Sequence, residues 1–235
     1  AIVSWHRDEL DNSVALATFD STPTLRLSIT SEVTVTHYQS LRDELPLVES
    51  VKKYPFQYSE TEQTALVSYR VTLPEGERFR HWLDEYRSKN ADTMDLLLGL
   101  SQKVFDQCSY EVREEHGVQT ADETLFRAKG SCRDSAWLFV ASARSLGFAA
   151  RFVSGYFHTA GTALADGTTH AWVEVYLPGP GWTGLDPSCN RLTAENHIPV
   201  AVALSPENVP PVSGLFTGAA GESSQMSVKV RVTPA

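Results

Sequence analysis

Apolar residues recur in twos through Leu25–Tyr38 (LRLSITSEVTVTHY), where Leu25, Leu27 and Ile29, then Val33 and Val35, alternate with polar neighbours. That period predicts strands with one buried face. Pro46, Pro55 and Pro74 punctuate the stretch that follows, and the pattern then turns helical. Phe79, Trp82, Leu83 and Tyr86 fall at i, i+3, i+4 and i+7, which puts all four on one face of a packing helix.

A second helix is predicted from Asp92 or Thr93, either of which caps an N-terminus well. Its apolar stripe is Met94, Leu97, Leu98, Val104, Phe105 and Cys108, where the cysteine serves as a small buried hydrophobe. A loop holding Gly117 and Gly130 leads to a third helix from about Cys132 to Leu146, stopped by Gly147. Strands follow. Ala150–Phe157 is β-like, and Thr168–Leu177 alternates cleanly, with Ala171, Val173, Val175 and Leu177 on one face. His170, Trp172, Glu174 and Tyr176 occupy the other face. Pro178-Gly179-Pro180-Gly181 is a turn, after which Trp182–Leu185 pairs back. Pro199–Gly221 reads as loop, and Ser227–Val232 (SVKVRV) as a last strand. Helices followed by an antiparallel meander predict an α+β domain with helices packed on a sheet.

Composition narrows the function classes. The chain has 235 residues, 42% hydrophobic and 21% charged, which is ordinary for a globular protein with ample core. A net charge of −9 argues against nucleic acid or an anionic membrane as partner. No apolar run approaches the roughly 18 residues that span a bilayer, and no signal peptide is visible. Three cysteines, Cys108, Cys132 and Cys189, are too few and scattered for a disulfide framework or a zinc ribbon. An odd count suits a reducing compartment, so a cytoplasmic location is expected.

The candidate chemistry begins at Gly130-Ser131-Cys132. A cysteine in the first turn of a helix sits in the field of exposed backbone N–H groups, which stabilises a thiolate and can also hold an oxyanion. Gly130 removes bulk where a substrate backbone would approach. His170 opens one strand of the predicted hairpin and Asp186 ends the other, so closing the turn brings them together. A carboxylate beside an imidazole fixes its tautomer and stabilises its protonated form. The order Cys…His…Asp is that of an activated thiol nucleophile. His158 and His197 have no carboxylate partner evident in the sequence, although His197 follows the Asp hairpin closely. Asp134 is expected to complement the helix dipole. Glu174, on the His170 face, is read as either a substrate contact or a solvated charge.

GSCRDSAWLFVASARSLGFAARFVSGY (Gly130–Tyr156) resembles the nucleophile helix and following strand of the transglutaminase-like superfamily. THAWVEVYLPGPGWTGLDPS (Thr169–Ser188) resembles its His and Asp hairpin, most closely in a bacterial branch of transglutaminase-like candidate cysteine proteases. The similarity runs back through Tyr110 and Thr120 to Leu125, forward to Ser227–Val232, and more weakly over the first 90 or so residues. It implies a papain/transglutaminase-like core, a nucleophile helix packed on an antiparallel sheet, over residues 91–235. Residues 1–90 would be a β-rich N-terminal region with short helices, entered partway because an opening strand is not evident. It implies Cys132 as nucleophile, His170 as general base and acid, and Asp186 as orienter. Tyr110 and Ser131 are assigned to the oxyanion hole or site lining, and Gly130, Trp172 and His197 to the substrate cleft. Cys189, three residues past Asp186, is a bystander thiol or an oxidation partner of Cys132.

The expected activity is acyl transfer on a peptide or protein amide through a Cys132 thioester, with no cofactor and no metal. Water resolving the thioester gives a protease or amidase, and an amine gives cross-linking or ligation. Hydrolysis is favoured because nothing in the sequence advertises a lysine-binding channel. Two rivals remain: a zinc site built from Cys132, His170, Asp186 and Cys189, and a non-catalytic binding module on the same fold. Oligomeric state is left open.

Overall fold

The computed structural model describes residues 1–20, 24–36, 46–74, 76–113, 115, 117–158, 168–210, 214–215, 217 and 227–232. The chain opens on a hairpin, β1 (Ile2–Arg7) and β2 (Ser13–Thr18), which the apolar pattern does not disclose. Its connecting Asn12 reaches the far end of the chain. The Asn12 amide donates to Val202 O at 2.8 Å and accepts from Val202 N–H at 2.8 Å. Residues 24–36, for which the alternation predicts strands, join no sheet, and Tyr38 lies outside the described residues. Leu25, Leu27, Ile29, Val33 and Val35 are all exposed, so the alternation there has no buried face to serve.

From residue 46 onward the chain builds the main body. β3 (Lys53–Tyr54) is followed by α1 (Glu60–Ala65), capped by Ser59, and α2 (Glu77–Arg87). On α2, Phe79, Leu83 and Tyr86 are buried, as the i, i+4, i+7 spacing requires. β4 (Ala91–Asp92) pairs with β3 and leads directly into α3 (Thr93–Gln107). The Asp92 carboxylate caps α3 by accepting from the N–H groups of Met94 and Asp95. β5 (Ser109–Tyr110), α4 (Ala121–Arg127) and β6 (Lys129–Gly130) then deliver the chain to α5 (Cys132–Ser145). Ala128 sits in the left-handed region (φ 54°) and turns the end of α4 into β6.

β7 (Ala150–Phe157), β8 (Thr168–Leu177), β9 (Gly181–Asp186), β10 (Arg191–Leu192) and β11 (His197–Ala203) form one antiparallel sheet in the order β10-β9-β8-β7-β11. β7 and β8 coincide with their predicted spans. β11 is a correction: the composition from Pro199 onward predicts loop, but the segment pairs along β7 as an edge strand and accommodates Pro199 where the register slips between Pro199 and Ala201. Ser227–Val232, predicted as a strand, pairs with nothing among the described residues.

α5 packs on β7 and β8 and is covered from the other side by α3 and α4, which explains its burial all round. Ala136, Leu138, Phe139, Val140 and Ala143 of α5 meet Phe152, Val173, Val175, Leu177 and Leu185 of the sheet. The same core takes in Tyr54, Phe79, Leu83 and Tyr86, so it crosses residue 90 without a break. A helix on an antiparallel sheet with further helices outside is the α+β arrangement anticipated from the motif order.

Candidate active site

Three elements converge on one point. Cys132 is the first residue of α5, His170 stands near the start of β8, and Asp186 is the last residue of β9. The β8–β9 register ends at Val173↔Leu185. One step further, Asp186 stands level with Trp172, on the face shared by His170 two residues back. The hairpin thus does what the sequence spacing predicts. His170 Nε2–H donates to Asp186 Oδ2 at 2.7 Å. Cys132 acts on the same imidazole and favours its charged form, and with Nε2 given to Asp186 the ring nitrogen left for a thiol is Nδ1.

Asp186 is fully buried, yet both its oxygens are saturated. Oδ1 accepts from Ser188 N–H at 3.0 Å and Ser188 Oγ–H at 2.7 Å. Besides the His170 bond, Oδ2 accepts from His197 Nε2 at 3.0 Å and from the Cys189 thiol at 3.0 Å. Burial pushes the Asp186 carboxyl up, but the bonds from His170 and His197, the His170 charge and the Cys189 thiol together hold it well below the usual carboxylate range. For His170, burial opposes the charged form. The bonds to Asp186 and Cys132 and the fields of both outweigh it and push the imidazole up to about 9. Cys189 is pushed up to about 12, first by burial and then by Asp186, so it stays a thiol and donates.

His197 has a partner after all: it shares His170's carboxylate, a contact invisible in the sequence because the two lie on different strands. Its Nδ1 accepts from Ala194 N–H at 3.2 Å, so its ring proton sits on Nε2 and points at Asp186. Phe157 packs against both imidazoles, with ring centroids 5.2 Å from His170 and 4.8 Å from His197. His170, Asp186 and His197 offer ligand atoms within 4.8 Å of one another, the spacing of a metal site. The proton on His197 Nε2 and the thiol proton of Cys189 are both spent on Asp186. A ligating nitrogen needs a free lone pair there, so this donor set fits a hydrogen-bonded proton network rather than a cation.

Other predicted residues take different places. Tyr110 is beside the site: β5 runs parallel to β6 with Tyr110 opposite Gly130, and the Cys132 charge helps push the phenol up after burial. It is largely exposed, on the rim. Ser131 is not free to hold an oxyanion through its side chain. Its N–H and Oγ–H both donate to Asp134 Oδ2, at 2.7 and 2.8 Å. Gly130 makes room for Asp134, not for substrate, since a Cβ there would lie 2.7 Å from Asp134 Cβ. Trp172 is 1% exposed and cannot line an open cleft; it backs His197 edge-on at 5.2 Å. Glu174 is neither solvated nor a substrate contact, because it pairs across strands with Arg151 at 2.6 Å. Asp134 does more than face the helix dipole. Fully buried, it also accepts from Arg113 Nη1 at 2.7 Å and Gln119 N–H at 2.8 Å, tying both residues to the first turn of α5.

Residues 80–187, which contain Cys132, His170 and Asp186, match the model of the transglutaminase-like superfamily. This stretch is a transglutaminase-like domain. An uncharacterized protein of Mycobacterium tuberculosis is 32% identical over 151 residues, covering 60% of this chain and 48% of the relative. One from Mycobacterium leprae is 30% identical over 115 residues, covering 47% of this chain and 40% of its own. The chain therefore spans about half the length of the curated relatives it matches, or less. Among solved structures, that of a candidate cysteine protease from Cytophaga hutchinsonii superposes with a TM-score of 0.50 at 19% identity, covering 71% of this chain and 53% of the other. That likeness is one of fold alone.

Proposed function

We propose that Cys132, His170 and Asp186 are a catalytic triad for acyl transfer at amide or peptide carbonyls. The observation that carries the reading is the His170 imidazole, bonded at Nε2 to the buried Asp186 carboxylate at 2.7 Å with Cys132 among the groups that favour its charged form. The Cys132 thiolate attacks the carbonyl carbon, and the oxygen takes up the charge at the N-terminal end of α5, where the helix field favours an anion. Imidazolium His170 gives its Nδ1 proton to the departing amine as the C–N bond breaks, leaving a thioester on Cys132. Asp186 keeps Nε2–H in place, so Nδ1 is always the nitrogen that exchanges protons. Water, deprotonated by His170, then releases the acid and restores the thiolate.

Hydrolysis is the favoured outcome, making the protein a cysteine protease or amidase acting on a peptide or protein. A primary amine resolving the same thioester gives transamidation or ligation instead. The test is turnover of a panel of peptide amides with a labelled primary amine present. Acid products that vanish in Cys132→Ala support hydrolysis, and label carried into the acyl product supports transfer. Activity surviving in Cys132→Ala overturns the triad. An unreactive Cys132 with no turnover of any amide favours a binding module.

A further inference from the structure

Asp186 is clamped through both oxygens, and one clamp comes from outside its own loop. Ser188 and Cys189 lie two and three residues away in sequence, whereas His197 arrives from β11, the opposite edge of the sheet from β10. The fold commits several features to that one contact. His197 is 3% exposed, and both its ring nitrogens are occupied, so it touches neither solvent nor a substrate. Phe157 and Trp172 hold its ring edge-on, at interplanar angles of 71° and 77°. Gly155 is what lets β11 close: a Cβ there would lie 2.2 Å from Ile198 O and 2.6 Å from Trp172 Cη2. A histidine kept only as an aromatic filler would need none of the nitrogen bonds.

We propose that His197 is a positioning residue for the reaction, its Nε2–H fixing Asp186 Oδ2 so that the carboxylate meets His170 Nε2 in one orientation. The inference rests on the triad reading above. His197 acts through Asp186 on His170 and does not itself exchange protons with the substrate. Among the described residues, the charged and titratable groups facing this pair are Asp186, Cys132 and Cys189, with Arg191 acting on Cys189, besides the two imidazoles themselves. Without the donor from β11, Oδ2 keeps only the Cys189 thiol beside His170 itself, and the carboxylate is less firmly aimed at Nε2. His170 then loses part of what raises its affinity for a proton.

Two variants separate the donor from the shape. His197→Gln keeps an N–H donor, and His197→Phe keeps the ring without one. The readout is the alkylation rate of Cys132 by iodoacetamide across pH, resolved by peptide mass spectrometry, with Cys108 and Cys189 as internal controls and thermal melts to confirm folding. A parallel kcat and KM comparison uses the peptide amide found above. His197→Phe is expected to slow Cys132 about 10–100-fold at neutral pH, the loss expected when a hydrogen bond to a charged group is removed, and to lower kcat with KM unchanged. His197→Gln is expected within about threefold of the native protein. Folded His197→Phe that reacts like the native protein overturns the positioning role and leaves the triad standing. Equal losses in both variants, tracking lowered melting temperatures, overturn it in favour of packing. A native Cys132 no faster than Cys108 strikes the triad reading itself, and this inference falls with it.

Discussion

Asp186 Oδ2 stands 2.7 Å from His170 Nε2, and the bond is shielded on both sides, with the carboxylate fully buried. The pair's charge state therefore governs the alkaline side of any thiol chemistry here. His170 is raised to about 9, so its proton is present at neutral pH and lost as pH passes that value. Cys132-dependent turnover should fall on the alkaline side with an apparent midpoint near 9. Asp186→Asn removes the charge that holds the proton. It should shift that limb down toward the ordinary histidine value and cut kcat by about 10²–10⁴, read from a pH–rate profile.

Stability follows the same group with a definite sign. A histidine raised in the folded state stabilises fully below its unfolded value of about 6.5, and that stabilisation disappears as pH rises through about 9. Urea unfolding of the native protein and of His170→Gln should differ most near pH 6. The gap should shrink by up to about 3 kcal/mol once the pH is well above 9, because a tenfold change in proton affinity corresponds to about 1.4 kcal/mol.

Asp134 is the anchor beneath Cys132, with four donors converging on a fully buried carboxylate. Asp134→Ala leaves the Arg113 guanidinium with Glu115 and strands the Gln119 N–H and both Ser131 donors, and should cost about 3–5 kcal/mol in urea unfolding. Because Ser131 immediately precedes Cys132, Asp134→Asn should lower Cys132 reactivity even at temperatures where the variant is folded.

Gly155→Ala tests how tightly β11 is seated. The added methyl would strike Ile198 O and Trp172, so the edge strand must move outward. A loss of about 1–3 kcal/mol is expected, with slower Cys132 alkylation, whereas a stability equal to the native protein would mean the strand has room to spare.

The three thiols should react in a fixed order with iodoacetamide. Cys108 is held up by burial and by the Asp134 charge, and Cys189 is pushed to about 12. Both should stay slow at pH 8 while Cys132 reacts, and His170→Ala should erase the difference.

The parts of this fold legible in the sequence are those whose signal is local. α3 begins at its Asp92 cap, α5 runs from Cys132 to its stop before Gly147, and β7 and β8 fill their predicted spans. The His170–Asp186 pair can be read because a tight hairpin links the two within 16 residues. His197's place is hidden for the opposite reason: β11 contains Pro199, which demotes a strand pattern, and its partner carboxylate lies across the sheet on β9. Glu174 and Trp172 share His170's face by alternation. Alternation cannot tell that Arg151 neutralises one or that β11 and its His197 cover the other. Leu25–Val35 shows the converse error, since a period of two marks a strand only where another strand pairs with it, and among the described residues none does.

The Asn12 amide bonded both ways to Val202 offers the outermost strand what a passing extended chain would offer, one donor and one acceptor at ladder spacing. A single side chain from the start of the chain thus occupies a stretch of sheet edge that could otherwise recruit a second molecule, a safeguard against aggregation made without a further strand.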